Sequence, residues 1–118
     1  MSSHRLLRVR ELLKREIGEA IRREVPIEVG GVITVNDVEI AGDMRNATVF
    51  IGIFGSAEQQ RTGMTALHRQ RPRIQDLVAK AVILKYTPRL RFVVDESVVR
   101  GNRVLSILDE IEKTLPET

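Results

Sequence analysis

The sequence predicts a single α+β domain in which helices pack a three-stranded sheet, and three observations carry that prediction. Apolar residues recur at three- and four-residue steps near both ends of the chain and in its middle. Between those helical segments, three short runs rich in Val, Ile and Phe alternate with period two. The length, 118 residues, suits one domain with one core, and an apolar fraction of 42% is enough to fill it. The domain is expected to span 1–118, with a short C-terminal tail from about residue 115.

The first helix is expected to start at an N-cap, Ser3, and run to about Glu24. Leu6, Val9, Leu13, Ile17, Ala20 and Ile21 form its apolar stripe, while Glu11, Arg15, Glu19 and Arg23 alternate in sign along the outer face. Gly18 weakens this helix, and close packing against a strand would account for it. Pro26 ends the helix. Ile33 and Val35 then fall on one strand phase and Val38 and Ile40 on the other, which predicts a bulge near Asn36–Asp37. After a turn over Ala41–Asn46, a partner strand points Ala47, Val49, Ile51 and Ile53 inward, completing a hairpin.

Ser56 through Gln59 reads as a capping box opening a helix with Met64 and Leu67. Pro72 interrupts a helical pattern that resumes with Ile74, Leu77, Val78, Ala81 and Leu84. An internal proline removes a backbone hydrogen bond and clashes with the preceding turn. Two helices meeting at a sharp corner formed by Gln70, Arg71 and Pro72 are therefore expected, with Pro72 at the first position of the second helix. Pro88 ends that helix. A third strand follows with Leu90, Phe92 and Val94 on one face and Arg89, Arg91 and Val93 on the other. Val104, Leu108, Ile111 and Leu115 mark a last helix.

The net charge of +3 conceals a strong asymmetry. Between Gln60 and Arg91 lie eight basic residues and one acid, Asp76, so that segment carries +7 and the remainder −4. A localised basic segment in an otherwise acidic chain suits a polyanionic partner. Arg69, Arg71 and Arg73 crowd the expected corner, where a helix start would leave the backbone N–H groups of Arg73, Ile74 and Gln75 free for a phosphate. Lys80, Lys85, Arg89 and Arg91 extend the candidate RNA-binding set along the same segment. With three Phe, one Tyr and no Trp, base stacking has few rings available, so phosphate contacts are expected to dominate.

Other chemistries find little support. The chain has no cysteine, hence no disulfide, thiolate zinc site or thiol nucleophile. His4 and His68 are far apart and fit no triad or ligand spacing, so no catalytic residue, metal site or cofactor is assigned. No apolar run approaches a bilayer span and the N-terminus lacks a signal-type core, which predicts a cytoplasmic protein with no membrane partner and no small-molecule substrate.

The order helix–strand–strand–helix–corner–helix–strand is that of a type II KH domain, in which a Gly-x-x-Gly loop between paired helices clamps a nucleic-acid backbone. Within this frame the chain resembles the ribosome-binding factor A family. The resemblance runs from about Leu7 to Leu108 and is carried by RVRELLKREIGEAIRREV, VITVNDVEIAGDMRNATVFIGIFG and IQDLVAKAVILKYTPRLRFVVDES. The signature of Pro, Leu-x-Phe, Asp-x-Ser and a later Gly falls on Pro88, Leu90, Phe92, Asp95, Ser97 and Gly101. It implies a non-enzymatic assembly factor that binds free small ribosomal subunits and their rRNA. Such a factor promotes maturation of the 5′ end of the precursor rRNA and supports growth in the cold. The chain departs from the family at the corner, where Gln70-Arg71-Pro72 replaces the usual Ala-x-Gly. Gly52-Ile-Phe-Gly55 matches Gly-x-x-Gly literally, but it leaves a strand and reads as a turn. A monomer is expected. An alternative is a KH-like module that docks another protein or RNA partner through its last helix, motivated by Leu105 and Ile107 outside the main stripe.

Overall fold

A computed structural model describes residues 3–95, with side chains from Arg5 onward. The expected last helix, the C-terminal tail, Ser97 and Gly101 lie outside the described residues. The elements are α1 (Ser3–Glu24), α2 (Ile27–Gly30), β1 (Val32–Ile40), β2 (Asn46–Phe54), α3 (Ala57–Ala81) and β3 (Arg89–Val94).

The sheet has the order β1-β2-β3, with β1 and β2 antiparallel and β2 and β3 parallel. A parallel pair cannot be joined by a tight turn, and α3 is the crossover that returns the chain to the same end of the sheet. α1 and α3 pack together, with α1 lying against β1. One core lies between helices and sheet. Leu13, Ile17 and Ile21 enter it from α1, Leu67, Ile74 and Val78 from α3, and Val38, Val49, Ile51, Leu90 and Phe92 from the strands. This is the predicted α+β, KH-like arrangement of a three-stranded sheet packed by helices.

The predicted bulge is present. Val35 pairs with Ile51 and Asp37 with Phe50, leaving Asn36 as the extra residue. The phase change keeps Ile33 and Val38 both buried, which a regular strand would not allow. The capping box of α3 is also formed. Gln59 N–H donates to Ser56 Oγ at 3.1 Å, and Ser56 N–H donates to Gln59 Oε1 at 2.9 Å.

Three expectations need correction, and one element was not foreseen. First, α3 is a single helix over Ala57–Ala81 with Pro72 inside it, so no break into two helices occurs at Gln70–Pro72. Pro72 is exposed, and the turns on either side are held to the core by Leu67 and by Ile74 and Val78. That packing outweighs the loss of one backbone hydrogen bond. Second, α3 ends at Ala81 and does not reach Leu84, because Val82 turns extended and buries its side chain in the core. Third, a one-turn helix, α2, follows Pro26 and packs on α3. There Gly30 and Gly63 meet back to back. A Cβ on Gly63 would lie 3.1 Å from the Gly30 carbonyl oxygen. Fourth, Gly18 is not crowded, since a Cβ there would meet Val35 Cγ2 at an ordinary 3.9 Å.

Candidate nucleic-acid interface

The cations of α3 point in two directions. Arg69, Arg73 and Lys80, at spacings of four and seven, form one exposed stripe opposite Leu67, Ile74 and Val78. Arg73 is committed there, its Nε donating to Glu24 Oε1 of α1 at 3.2 Å. Arg71 lies partway round the helix toward the core, one turn before Gln75. Because the helix is unbroken, the N–H groups of Arg73, Ile74 and Gln75 belong to its interior, and the expected helix-start phosphate site is not formed.

A different site takes its place. Gln75 Nε2 donates to the Pro88 carbonyl at 2.6 Å, and Gln75 Oε1 accepts from Leu90 N–H at 3.0 Å. This two-point latch holds the start of β3 against α3 and brings Arg89 next to Arg71. Arg89 N–H in turn donates to the Arg45 carbonyl at 2.8 Å. Arg45 stands in the β1–β2 turn, whose shape is set by Met44 at a φ of 60° and by Arg45 N–H donating to Asp43 Oδ1 at 2.9 Å. The outcome is an open groove of about 370 Å³ lined by Arg45, Arg71, Pro72, Gln75, Thr87 and Arg89.

The lining of the groove holds three arginines and no carboxylate. Among the described residues, none of Arg45, Arg71 and Arg89 forms an ion pair with a carboxylate. Three guanidinium groups on three separate elements repel one another, and an anion between them would relieve that repulsion. At the rim, Arg45 and Lys85 lie 5.7 and 5.6 Å from the ring centre of Tyr86. Arg91 is two residues beyond Arg89 on the sheet face turned away from the helices, beside Thr48.

Of the seven predicted cations, then, Arg71, Lys85, Arg89 and Arg91 gather on the groove and the adjoining sheet face. Arg69, Arg73 and Lys80 lie on the far side of α3. Arg45 was missed because it lies outside the basic segment, in a turn with no charge pattern of its own. Only the parallel pairing of Asn46 with Arg89 brings its turn to the start of β3.

The bulge supports a second polar cluster at the other end of β3. Thr34 Oγ1 donates to Asn36 Oδ1 at 2.8 Å, and Asn36 Nδ2 donates to Asp95 Oδ2 at 2.9 Å. Gly52 lies beneath this bridge, where a Cβ would meet Thr34 Oγ1 at 3.0 Å. The neighbouring Asp37 accepts from Arg10 Nε at 3.0 Å and Nη2 at 2.5 Å, and from Val38 N–H at 2.9 Å. The Arg10 hydrogen bonds hold the Asp37 carboxyl below its ordinary value. These contacts tie β1 to α1 and β3, and they place Asp95 in a structural role. Among the described residues, no group of His, Asp and Glu side chains could hold a metal ion, and no helix is long and apolar enough to cross a membrane.

Fold and groove together define a KH-like α+β domain with a basic site between α3, β3 and the β1–β2 turn. The family model for ribosome-binding factor A matches residues 5–108. Ribosome-binding factor A of Gloeobacter violaceus is 39% identical over 114 residues, covering 94% of this chain and 88% of the relative. The crystal structure of ribosome-binding factor A from Thermus thermophilus superposes with a TM-score of 0.65 at 26% identity, covering 75% of this chain and 93% of that one. A homology model of the Thermus thermophilus factor, fitted into a cryo-EM map of its 30S complex, superposes with a TM-score of 0.62 at 26% identity, covering 72% and 89%. The chain belongs to the ribosome-binding factor A family.

Proposed function

We propose that this protein binds the free small ribosomal subunit through its rRNA, as a monomer and without catalysing a reaction, during assembly of that subunit. The observation that carries this reading is the convergence of Arg45, Arg71 and Arg89, free of carboxylate partners among the described residues, around one groove. Guanidinium groups match phosphate oxygens in pairs and stay charged at any physiological pH. The Thermus thermophilus relative fitted into a 30S complex supports the choice of subunit. Family membership supports the finer reading, in which binding promotes maturation of the 5′ end of the precursor rRNA and matters most for growth in the cold.

Lys85, on the α3–β3 loop, and Arg91, on the adjoining sheet face, extend the contact. Arg69 and Lys80, on the outer stripe of α3, make at most peripheral contacts, and Arg73 serves α1 through Glu24. Co-sedimentation with small subunits, large subunits and joined ribosomes across a salt series tests the proposal. Binding confined to small subunits and weakened steeply by salt is the expected result. Absence of binding to small subunits by the folded protein would overturn it.

A further inference from the structure

The chain has one tyrosine and no tryptophan, and the tyrosine is not in the core. Tyr86 is 57% exposed, in the α3–β3 loop at the rim of the basic groove. That loop is pinned at both ends, since Val82 and Pro88 are buried and Leu84 is half-buried. Its outward residues are Ile83, Lys85 and Tyr86, with Ile83 96% exposed. Two mobile side-chain cations, Arg45 and Lys85, lie over the ring at 5.7 and 5.6 Å from its centre, where an incoming base would replace one of them, and Arg45 also lines the groove. An exposed aromatic ring on an anchored loop, beside a groove lined by three arginines, is the minimal layout for gripping one nucleotide.

We propose that Tyr86 is a stacking platform for one unpaired base of single-stranded RNA whose phosphates lie in the Arg45–Arg71–Arg89 groove. This rests on the RNA-binding reading above and adds to it a strand preference. In a duplex each base already has neighbours on both faces, so a single ring gains nothing there. A splayed or looped base offers a free face. The platform is tolerant of base identity, because every base has such a face. The three arginines set the register of the backbone and Tyr86 selects against paired RNA.

The test uses the full chain with a short labelled oligouridylate and with a duplex of equal length. Tyr86 is the only tyrosine in a chain without tryptophan, so intrinsic fluorescence near the tyrosine maximum reports this ring alone. Binding of the single strand should quench it. Tyr86→Ala should weaken single-strand binding by about tenfold, Tyr86→Phe should retain it, and the duplex should bind no better to wild type than to Tyr86→Ala. The ring is exposed, and unchanged thermal melting of both variants would show that the fold is intact. Single-strand binding by Tyr86→Ala equal to wild type, or binding by wild type without quenching, would overturn the platform. Small-subunit co-sedimentation run in parallel separates the two ideas. If wild type sediments with subunits yet does not bind the oligouridylate, the platform fails and the subunit reading stands.

Discussion

Two glycines of similar helical setting have opposite roles. Gly18 lies in α1 where a Cβ would make only ordinary contacts, with Arg22 at 3.6 Å and Val35 at 3.9 Å, so it gives up helix propensity for no close approach. Gly18→Ala should raise stability by about 0.5–1 kcal/mol in urea unfolding. Gly63 faces the Gly30 backbone, which cannot retreat without separating α2 from α3. Gly63→Ala should therefore cost about 1–2 kcal/mol despite the better helix former, because the added methyl overpacks the crossing. At Asp37 the fold prefers the charged carboxylate, so its folded value lies below the ordinary 3.8. Its contribution is present above that ordinary value and is lost as pH falls through the folded one. Asp37→Asn should destabilise by less than about 1 kcal/mol at neutral pH, since the pair is half-exposed. The gap to wild type should close in melts taken below about pH 4.

At the scale of elements, α3 is decided by its two ends. The capping box starts it and the buried Val82 stops it, while Pro72 sits in its middle at a local cost. Restoring the missing N–H should show that cost directly. Pro72→Ala is expected to stabilise the protein by about 1–2 kcal/mol, the helix gain being partly offset by a more flexible unfolded chain. Urea midpoints at constant m-value measure this. Gln75 is the other local decision on α3. Its side chain meets the Pro88 carbonyl and the Leu90 N–H, two backbone groups that would otherwise lack partners at the start of β3. The groove exists because that latch sets Arg89 against Arg71.

For the whole molecule, the basic segment of the sequence is divided by the fold into a groove and a separate outer stripe. Charge reversal should expose the division. Arg71→Glu should weaken small-subunit binding markedly and flatten its logarithmic salt dependence by about one unit, as expected for the loss of one phosphate contact. Arg73→Glu should leave that slope unchanged, because its side chain is turned away from the groove and paired with Glu24 of α1. A larger effect of Arg73→Glu than of Arg71→Glu would place the RNA contact on the outer stripe of the helix instead.

The sequence by itself determined what local periodicity and local chemistry can encode. Alternation of Ile33, Val35, Val38 and Ile40 contained the bulge, because buried residues must keep one face and only an extra residue reconciles the two phases. Ser56 and Gln59 contained the start of α3, since the cap needs only residues three apart. The family was legible in Pro88, Leu90, Phe92 and Asp95, which the structure places in the core, in the latch and in the Asn36 bridge. Only the tertiary structure decided whether Pro72 breaks α3, because that depends on Leu67, Ile74 and Val78 finding a common core on both sides of it. It alone assembled the candidate groove as well. Arg45 is 26 and 44 residues from Arg71 and Arg89 in sequence, and Tyr86 looked like one aromatic among few. The parallel pairing of β2 with β3 brings them together, and no spacing along the chain encodes a pairing made across the sheet.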